Sequence, residues 1–197
     1  MSTAVILAGG QSRRMGKDKM TLTYRGKTFP QAALERFSRH FDTVWLSLAD
    51  AGKYPDLNAP RLADLVPGCG PMSGLHAALR ATHDDGVFLV AGDMPFSDPL
   101  AALKIIELAA GYDIAAAAGE SGRPEPLFAY YAKTVLPHVE AALQRGDFKL
   151  ASLFPTVRTL LVTPDMLGNY WNERLLLNVN TPEDFARLAG LFPSENG

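Results

Sequence analysis

The sequence TAVILAGGQSRRMGKDK, residues 3–19, places a short apolar run directly before two glycines and a group of cations. The run TAVIL has the length and continuous apolar character of a buried strand in a parallel sheet. Gly9 and Gly10 allow a sharp turn in which backbone N–H groups stand clear of side chains. Because ligands bind at the carboxyl ends of parallel strands, this loop is well placed to hold phosphate. A glycine turn with a solvated basic rim would also fit the composition.

The cations of the loop suit a triphosphate, but its glycine spacing excludes two common phosphate motifs. These cations are Arg13, Arg14, Lys17 and Lys19. The dinucleotide pattern G-x-G-x-x-G is absent because Gly9 and Gly10 are adjacent. The pattern G-x-x-x-x-G-K-[ST] also fails, since five residues separate Gly10 from Gly16 and Asp18 follows the lysine. The loop therefore argues against a Rossmann dehydrogenase and a P-loop kinase.

Strand-length apolar runs alternate with helical patterns along the chain, which predicts an α/β fold. The predicted strands are TAVIL, TVWLSL, RLADLV, VFLVAGD, DIAAAA, PLFAYY, RTLLVTP and LLLNVN. Predicted helix starts are Pro30, Ser73 as an N-cap, Asp98 with Pro99, Pro137 in a first turn, and Thr181 with Pro182. We expect a three-layer α/β/α sandwich around a mainly parallel sheet, in one domain of residues 1–197.

The 197 residues are 47% hydrophobic, enough for one core, and carry a formal net charge of −2. This balance gives no general attraction to nucleic acid or to a membrane, so any basic site must be local. The single cysteine, Cys69, excludes an internal disulfide and suits a reducing compartment. The apolar run near the N-terminus is too short for a signal sequence or a membrane span. We therefore expect a cytoplasmic protein.

The loop LAGGQSRRMGKDK, residues 7–19, resembles the signature loop of sugar-phosphate and related nucleotidyltransferases. It is most similar to the form L-A-G-G-x-S-x-R-M-G-x-D-K of the molybdenum cofactor guanylyltransferase family. Those enzymes transfer GMP from GTP to molybdenum-bound molybdopterin and release pyrophosphate. The resemblance runs in four blocks from residue 3 to about residue 190. It implies a Rossmann-like nucleotidyltransferase sheet, with a nucleotide-binding part over about residues 1–100 and an acceptor-binding part over about 101–192.

A triphosphate needs a metal, so an acid should lie near the loop. Asp93, in LVAGDMPF, closes the most continuous apolar strand and would lie at the same sheet edge as the loop. Its carboxylate offers a hard oxygen ligand for Mg²⁺. By position alone, Asp93 could instead cap the turn that follows. The family's G-D-M-P element implies that Asp93 is the metal ligand.

A second block, ADLVPGCGPMSGLHAAL, places Asp64 at the end of a short strand and then opens a helix, whose N-terminus favours anions. The resemblance implies that Asp64 contacts the guanine nucleotide. We expect Met72 and Leu75 to be packing residues, and His76 to be a packed histidine rather than a base. Relatives can carry Asn at the position of Ser47, and serine reaches less far toward a base.

The third block, GRPEPLFAYY, resembles the family's R-x-x-P-L-x-A-x-Y. This match implies that Arg123 binds the anionic phosphate of the acceptor, although a surface turn arginine would look the same. Tyr130 and Tyr131 alternate faces of a strand, so one of them should lie in the core.

The fourth block, LLLNVNTPEDFARL, matches the family's N-x-N-T-P-E. Asn178 and Asn180 are two positions apart on a predicted strand and would therefore point the same way. The resemblance implies that one or both bind the nucleotide or the metal shell.

The resemblance implies a mechanism without a nucleophile–base pair, because the attacking phosphate is already ionised. The triphosphate would be held by Leu7, Ala8, Gly9 and Gly10. Arg14 and Lys19 would offset its charge while Asp93 holds Mg²⁺. We expect a monomer that acts on GTP and molybdenum-molybdopterin. Cofactor-insertion and cofactor-delivery proteins are partners that only the resemblance implies.

Three other interpretations stay open. The cytidylyltransferase that makes the cytosine form of the same cofactor has a similar loop, but it usually reads L-A-A-G in place of L-A-G-G. Sugar-phosphate nucleotidyltransferases are commonly longer chains. A non-catalytic nucleotide-binding module would have no need to keep Lys19, Asp64, Asp93 and Asn180.

Overall fold

The structure, a computed structural model, describes residues 2–9, 23–24, 26–48, 57–181 and 183–186. The predicted site residues Gly10, Arg13, Arg14, Lys17 and Lys19 lie outside the described residues, as does Pro182, the predicted first residue of the last helix.

The described chain forms nine strands and five α-helices, and residues 183–186 belong to a further helix. The strands are β1 (Thr3–Leu7), β2 (Thr23–Tyr24), β3 (Lys27–Thr28), β4 (Thr43–Leu48), β5 (Arg61–Ala63), β6 (Gly86–Ala91), β7 (Ile114–Ala118), β8 (Pro124–Ala132) and β9 (Thr159–Val162). The helices are α1 (Phe29–Phe37), α2 (Pro71–Ala81), α3 (Pro99–Leu108), α4 (Leu136–Gln144) and α5 (Pro164–Leu167). Short 3₁₀ helices cover Lys133–Val135, Leu150–Thr156 and Gly168–Tyr170. None of the helices in these ranges is long and apolar enough to cross a membrane.

Seven strands form one sheet in the order β5-β4-β1-β6-β8-β7-β9, which confirms the α/β prediction. All neighbours are parallel except that β8 runs antiparallel to both β6 and β7. The connection from β7 to β8, residues 119–123, is too short for the crossover that parallel neighbours require. Gly122, with φ of 72°, makes the turn.

Helices cover both faces of the sheet, as the three-layer prediction requires. Along β6, Phe88 and Val90 pack on the face covered by α1 and α3, whereas Val87 and Leu89 pack on the face covered by α2 and α4. The alternation follows from the twofold repeat of a strand. Tyr131 is fully buried on the second of these faces, as expected for one of the two tyrosines.

Strand β8 departs from regular pairing near its start. Its partners on β7 change from Ala116 opposite Ala129 to Ala118 opposite Pro124, so the chain advances two positions on β7 and five on β8. Two prolines that cannot donate to a ladder suit such a bulge. The Tyr131 hydroxyl donates to the Pro126 carbonyl at 2.8 Å and holds the bulged segment.

Three helices begin within one residue of the start that the sequence predicted. Asp98 caps α3, with Oδ1 accepting from the Leu100 N–H at 2.8 Å. Pro137 lies in the first turn of α4, as predicted. Helix α1 begins one residue before Pro30, with Thr28 as its N-cap.

The prediction that Ser73 is an N-cap is wrong. Helix α2 begins at Pro71 after Gly70, whose φ of 61° sets the turn, so Ser73 already lies inside the helix. Its buried hydroxyl accepts from the Cys69 N–H at 3.2 Å and donates to the Val66 carbonyl at 2.6 Å. The serine therefore ties the preceding loop to the helix.

The predicted strand LLLNVN is also wrong, because residues 173–180 form a turn and an irregular segment. The Leu175 N–H donates to the Asn172 carbonyl and the Leu177 N–H to the Arg174 carbonyl, both at 2.9 Å. These local bonds use the groups that a sheet ladder would need.

Candidate functional site

Four parallel strands end together at one edge of the sheet. Leu7 lies in register with Ser47 and with Ala91, and Ser47 with Leu62. The segments that follow these strands therefore meet at one edge, as parallel pairing requires. The Ala8 N–H donates to the Ser47 carbonyl at 3.0 Å, so Gly9 is the first described residue beyond the sheet's own hydrogen bonds on β1.

Asp93 lies at this edge, two residues past the end of β6, and is only 6% exposed. Arg36 braces the loop after it, donating to the Met94 carbonyl at 3.2 Å and to the Ser97 hydroxyl at 3.1 Å. Burial lowers the pKa of Arg36, and the charge of Asp98 opposes that effect. The half-buried Arg36 thus holds the backbone of the loop that carries Asp93.

The bulged start of β8 brings two more charged residues to the same edge, because β8 runs opposite to β6. Arg123 is exposed, whereas Glu125 is half-buried. Glu125 Oε1 accepts from the Leu127 N–H at 3.0 Å, and Oε2 accepts from Asn178 Nδ2 at 3.2 Å. Sequence reasoning placed Arg123 here and missed Glu125.

The charge of Asp93 acts on Glu125. Burial is the main cause that raises the pKa of Glu125, and the Asp93 charge raises it further. The hydrogen bonds from Leu127 and Asn178 and the charge of Arg123 work in the opposite direction. The charge of Asp93 is thus close enough to Glu125 to act on it at this edge of the sheet.

The Asn178–Asn180 segment lies against the loop after β6. The Val179 N–H donates to the Asp93 carbonyl at 3.1 Å. Asn178 is half-buried beside Glu125, while Asn180 is exposed and its N–H donates to Asp184 Oδ2 at 3.0 Å. Without the predicted strand, the reason for expecting both side chains to point the same way is gone.

Thr181 caps the following helix, as predicted. Asp184 Oδ2 accepts from the Thr181 N–H at 2.9 Å, and Thr181 Oγ1 accepts from the Asp184 N–H at 3.1 Å. This reciprocal pair fixes the direction in which the chain leaves the site.

Asp64 follows β5 directly and is half-buried, and burial raises its pKa. It lies at the same edge as Asp93 but three strands away in the sheet, since β4 and β1 separate β5 from β6. The structure therefore brings Asp93, Glu125 and Asn178 together and leaves Asp64 on the other side of the β1 loop.

Helix α2 covers the ends of β1 and β4. A Cβ added at Gly74 would lie 2.6 Å from both Leu7 Cδ2 and Ser47 Oγ, so a larger residue would have to displace these side chains. Ser47 is 3% exposed beneath the helix, which keeps its hydroxyl away from the surface.

The expected packing residues of α2 are confirmed. Met72 and Leu75 are fully buried. His76 is also buried, and its Nε2 accepts from Arg80 Nε at 3.1 Å beside Glu140 on α4. Its contacts face α4, so it has no partner among the carboxylates of the sheet edge.

Among the residues that the structure describes, no group of three or more His, Cys, Asp or Glu side chains could hold a metal by itself. The oxygen-rich donor set near Asp93 consists of two carboxylates and one amide. Such a set suits a hard divalent cation that takes further ligands from its substrate or from water.

Comparison with known proteins gives one consistent assignment. The family model described as the MobA-like NTP transferase domain matches residues 4–159. A probable molybdenum cofactor guanylyltransferase from Methanosarcina mazei is 34% identical over 95% of this chain and 90% of its own length. A protein of the same description from Carboxydothermus hydrogenoformans is 32% identical, with 96% of both chains covered.

A solved structure agrees with the sequence comparisons. The crystal structure of molybdopterin-guanine dinucleotide biosynthesis protein A from Archaeoglobus fulgidus superposes with a TM-score of 0.84 at 28% identity. The match covers 96% of this chain and 97% of that one. The chain is therefore a nucleotidyltransferase that belongs to the MobA-like NTP transferase family.

Proposed function

We propose that this chain transfers GMP from GTP to molybdenum-molybdopterin, forming molybdopterin guanine dinucleotide and releasing pyrophosphate. The observation that carries the proposal is the placement of the buried Asp93 carboxylate one strand away from the Leu7–Gly9 turn, at the carboxyl edge of the sheet. The names of the full-length relatives support guanine as the base.

The residues near Asp93 fit Mg²⁺. In this proposal Asp93 is the protein ligand, and the Glu125 carboxylate and the Asn178 amide lie within its surroundings. The electrostatic effect of Asp93 on Glu125 favours a cation at this place, because positive charge would relieve the repulsion. When bound, Mg²⁺ would neutralise triphosphate charge and polarise phosphoryl oxygens.

The chain's other residues then bind and align the two substrates. Backbone groups of residues 7–10 would hold the triphosphate, with Gly9 the first amide beyond those that the sheet uses. Arg14 and Lys19 would offset its charge, and Asp64 would contact the guanine nucleotide. These contacts leave the α-phosphorus open to attack.

The acceptor would approach from the start of β8. Arg123 is exposed there and would bind the anionic phosphate of molybdopterin. Asn180, which is also exposed, would add a polar side chain to the lining of the acceptor site. Because that phosphate is already ionised, no general base is needed. In this proposal residues of about 1–100 bind the nucleotide and residues of about 101–192 face the acceptor.

Calorimetric titration with GTP and with CTP, each with and without Mg²⁺, tests the nucleotide assignment. We expect magnesium-dependent binding that favours GTP, followed by GMP transfer when molybdenum-molybdopterin is added. A preference for CTP would overturn guanylyl transfer and favour the cytidylyltransferase reaction. Binding of neither nucleotide would overturn both and favour a sugar-phosphate or non-catalytic role. The monomeric state, the cytoplasmic location and partners that deliver or insert the cofactor remain predictions.

A further inference from the structure

Two acceptors hold the side-chain amide of Asn178. Its Nδ2 donates to Glu125 Oε2 at 3.2 Å and to the Leu176 carbonyl at 3.3 Å. An amide nitrogen has two N–H groups, so both are used. The side chain can then offer a ligand only its Oδ1, which accepts and cannot donate. That atom suits a cation, a cation-bound water or an N–H donor, and it repels a bare phosphate oxygen.

We propose that Glu125 is the positioning residue that fixes this orientation of Asn178. Glu125 Oε1 already accepts from the Leu127 N–H at 3.0 Å, which leaves Oε2 to accept from the amide. Neither the Glu125 carboxylate nor the Leu176 carbonyl can donate a hydrogen bond. Both therefore require the NH₂ group of Asn178, and not its oxygen, to face them. The inference rests on the proposed function, in which the ligand is the magnesium–nucleotide complex.

The contact also ties two parts of the site together. Val179, the neighbour of Asn178, donates its N–H to the Asp93 carbonyl at 3.1 Å. Glu125 therefore holds one end of a short connection that runs from the bulge of β8, through residues 178–179, to the loop that carries Asp93. Without this hold, the amide could rotate and present N–H groups to the ligand.

Glutamine cannot take the place of Glu125, although its shape is almost the same. If the oxygen of a glutamine accepted from Leu127, its NH₂ would face the NH₂ of Asn178. If the glutamine turned over, its NH₂ would face the Leu127 N–H. If Asn178 turned over instead, its oxygen would face the Leu176 carbonyl. Every arrangement leaves two donors or two acceptors in contact, so Glu125→Gln should release the amide.

The test combines Glu125→Gln and Asn178→Ala in a double-mutant cycle. We expect Glu125→Gln to lower kcat for GMP transfer about 10- to 100-fold, the usual effect of losing a partner that orients a ligand group. In the Asn178→Ala background the same change should lower kcat less than about twofold, because the group on which Glu125 acts is gone. An equal loss in both backgrounds would overturn the positioning role.

A second readout does not depend on transfer. The side-chain ¹H–¹⁵N resonances of Asn178, assigned by their loss in Asn178→Ala, should shift and exchange faster with solvent in Glu125→Gln. Glu125→Asp keeps the charge but is shorter by one methylene, so it should release the amide as well. It also provides the measurement if Glu125→Gln does not fold. Unchanged Asn178 resonances in the folded variants would overturn the inference.

Asp113→Asn is the matched control, since Asp113 also accepts several hydrogen bonds but lies at the opposite edge of the sheet. It should leave kcat and the Asn178 resonances unchanged. These experiments distinguish a failure of the proposed function from a failure of the positioning role of Glu125. A wild-type protein that transfers no GMP would contradict the proposed function, and the resonances would still decide the role of Glu125. Transfer with resonances that do not respond to Glu125→Gln would overturn only the positioning role.

Discussion

Two carboxylates at opposite edges of the sheet have opposite surroundings. Asp113, just before β7, accepts from the Thr134 hydroxyl at 2.8 Å and from the Arg158 N–H at 3.1 Å. The Thr134 bond is the main cause that lowers the pKa of Asp113. At the other edge, burial and then the charge of Asp93 raise the pKa of Glu125 against two hydrogen bonds. Both carboxylates accept hydrogen bonds from the protein, but these bonds dominate at Asp113, whereas burial and the Asp93 charge outweigh them at Glu125. We call the first the structural edge and the second, where we propose that the substrates bind, the proposed binding edge.

The largest expected effect is at the proposed binding edge. Asp93→Asn should lower GMP transfer by about 100-fold or more, because the change removes the charge that would hold Mg²⁺. The melting temperature, followed by circular dichroism, should stay close to that of the wild type. Transfer that is retained at saturating Mg²⁺ would contradict the role of Asp93.

Gly86 and Gly74, which lie at opposite edges of the sheet, should differ in how much stability is lost when each is replaced by alanine. A Cβ at Gly86, where β6 starts at the structural edge, would overlap the backbone oxygen of Tyr131, which has little room to move. Gly86→Ala should therefore cost about 2–3 kcal/mol of unfolding free energy. A Cβ at Gly74 would meet the ends of two side chains that can shift, so Gly74→Ala should cost about 1 kcal/mol.

Urea denaturation measures both costs, with Gly119→Ala as the control because nothing lies within 4 Å of a Cβ at that position. Gly119→Ala should stay within about 0.5 kcal/mol of the wild type. We expect Gly74→Ala to impair nucleotide binding as well, since it displaces Leu7 beside the first loop. A larger stability cost at Gly74 than at Gly86 would contradict this account.

A smaller effect is expected from Asp113→Asn, about 1 kcal/mol at pH 7, the value of one hydrogen bond. The pKa of Asp113 is lowered by folding, so its stabilising effect is complete above the ordinary aspartate value of about 3.9 and is lost as the pH falls through the lowered value. The stability difference between wild type and variant should therefore vanish in strongly acidic solution. Urea midpoints measured from pH 7 to pH 2 check this sign, and a difference that grows on acidification would contradict it.

The smallest effect is expected from Arg158→Ala. Its Nε lies 3.4 Å from Asp113 Oδ2, but the side chain is 72% exposed and the backbone N–H still donates in the variant. The stability change should stay below about 0.5 kcal/mol and fall further in high salt. A larger loss would mean that the ion pair, rather than Thr134 and the backbone, stabilises Asp113.

Local patterns in the sequence predicted the elements of the fold. Continuous apolar runs identified the buried strands, and Asp98, Pro137 and Thr181 marked helix starts because each acts within its own first turn. Ser73 was misplaced because the backbone of Gly70 and Pro71 begins the helix earlier, and composition does not reveal a positive φ. The run LLLNVN was apolar enough for a strand but closes its hydrogen bonds locally.

The site was predictable only where it follows directly from strand ends. Asp64 comes directly after β5 and Asp93 two residues after β6, so topology places both at one edge. Glu125 depends on long-range facts, the reversed direction of β8 and its bulge, which no local pattern contains. The Pro-Glu-Pro sequence was the available signal, since prolines on both sides of a strand residue indicate irregular pairing.

The bulge in β8 makes the site sensitive to chain length. Glu125 lies three residues before the regular pairing of residues 128–132 with β6, so deleting Pro126 or Leu127 would move Glu125 away from Asn178 while that pairing persists. The folded core would survive such a deletion, whereas the contact between Glu125 and Asn178 would be lost. Insertions and deletions in this short stretch are therefore a route by which the proposed acceptor side could change without altering the loop after β1.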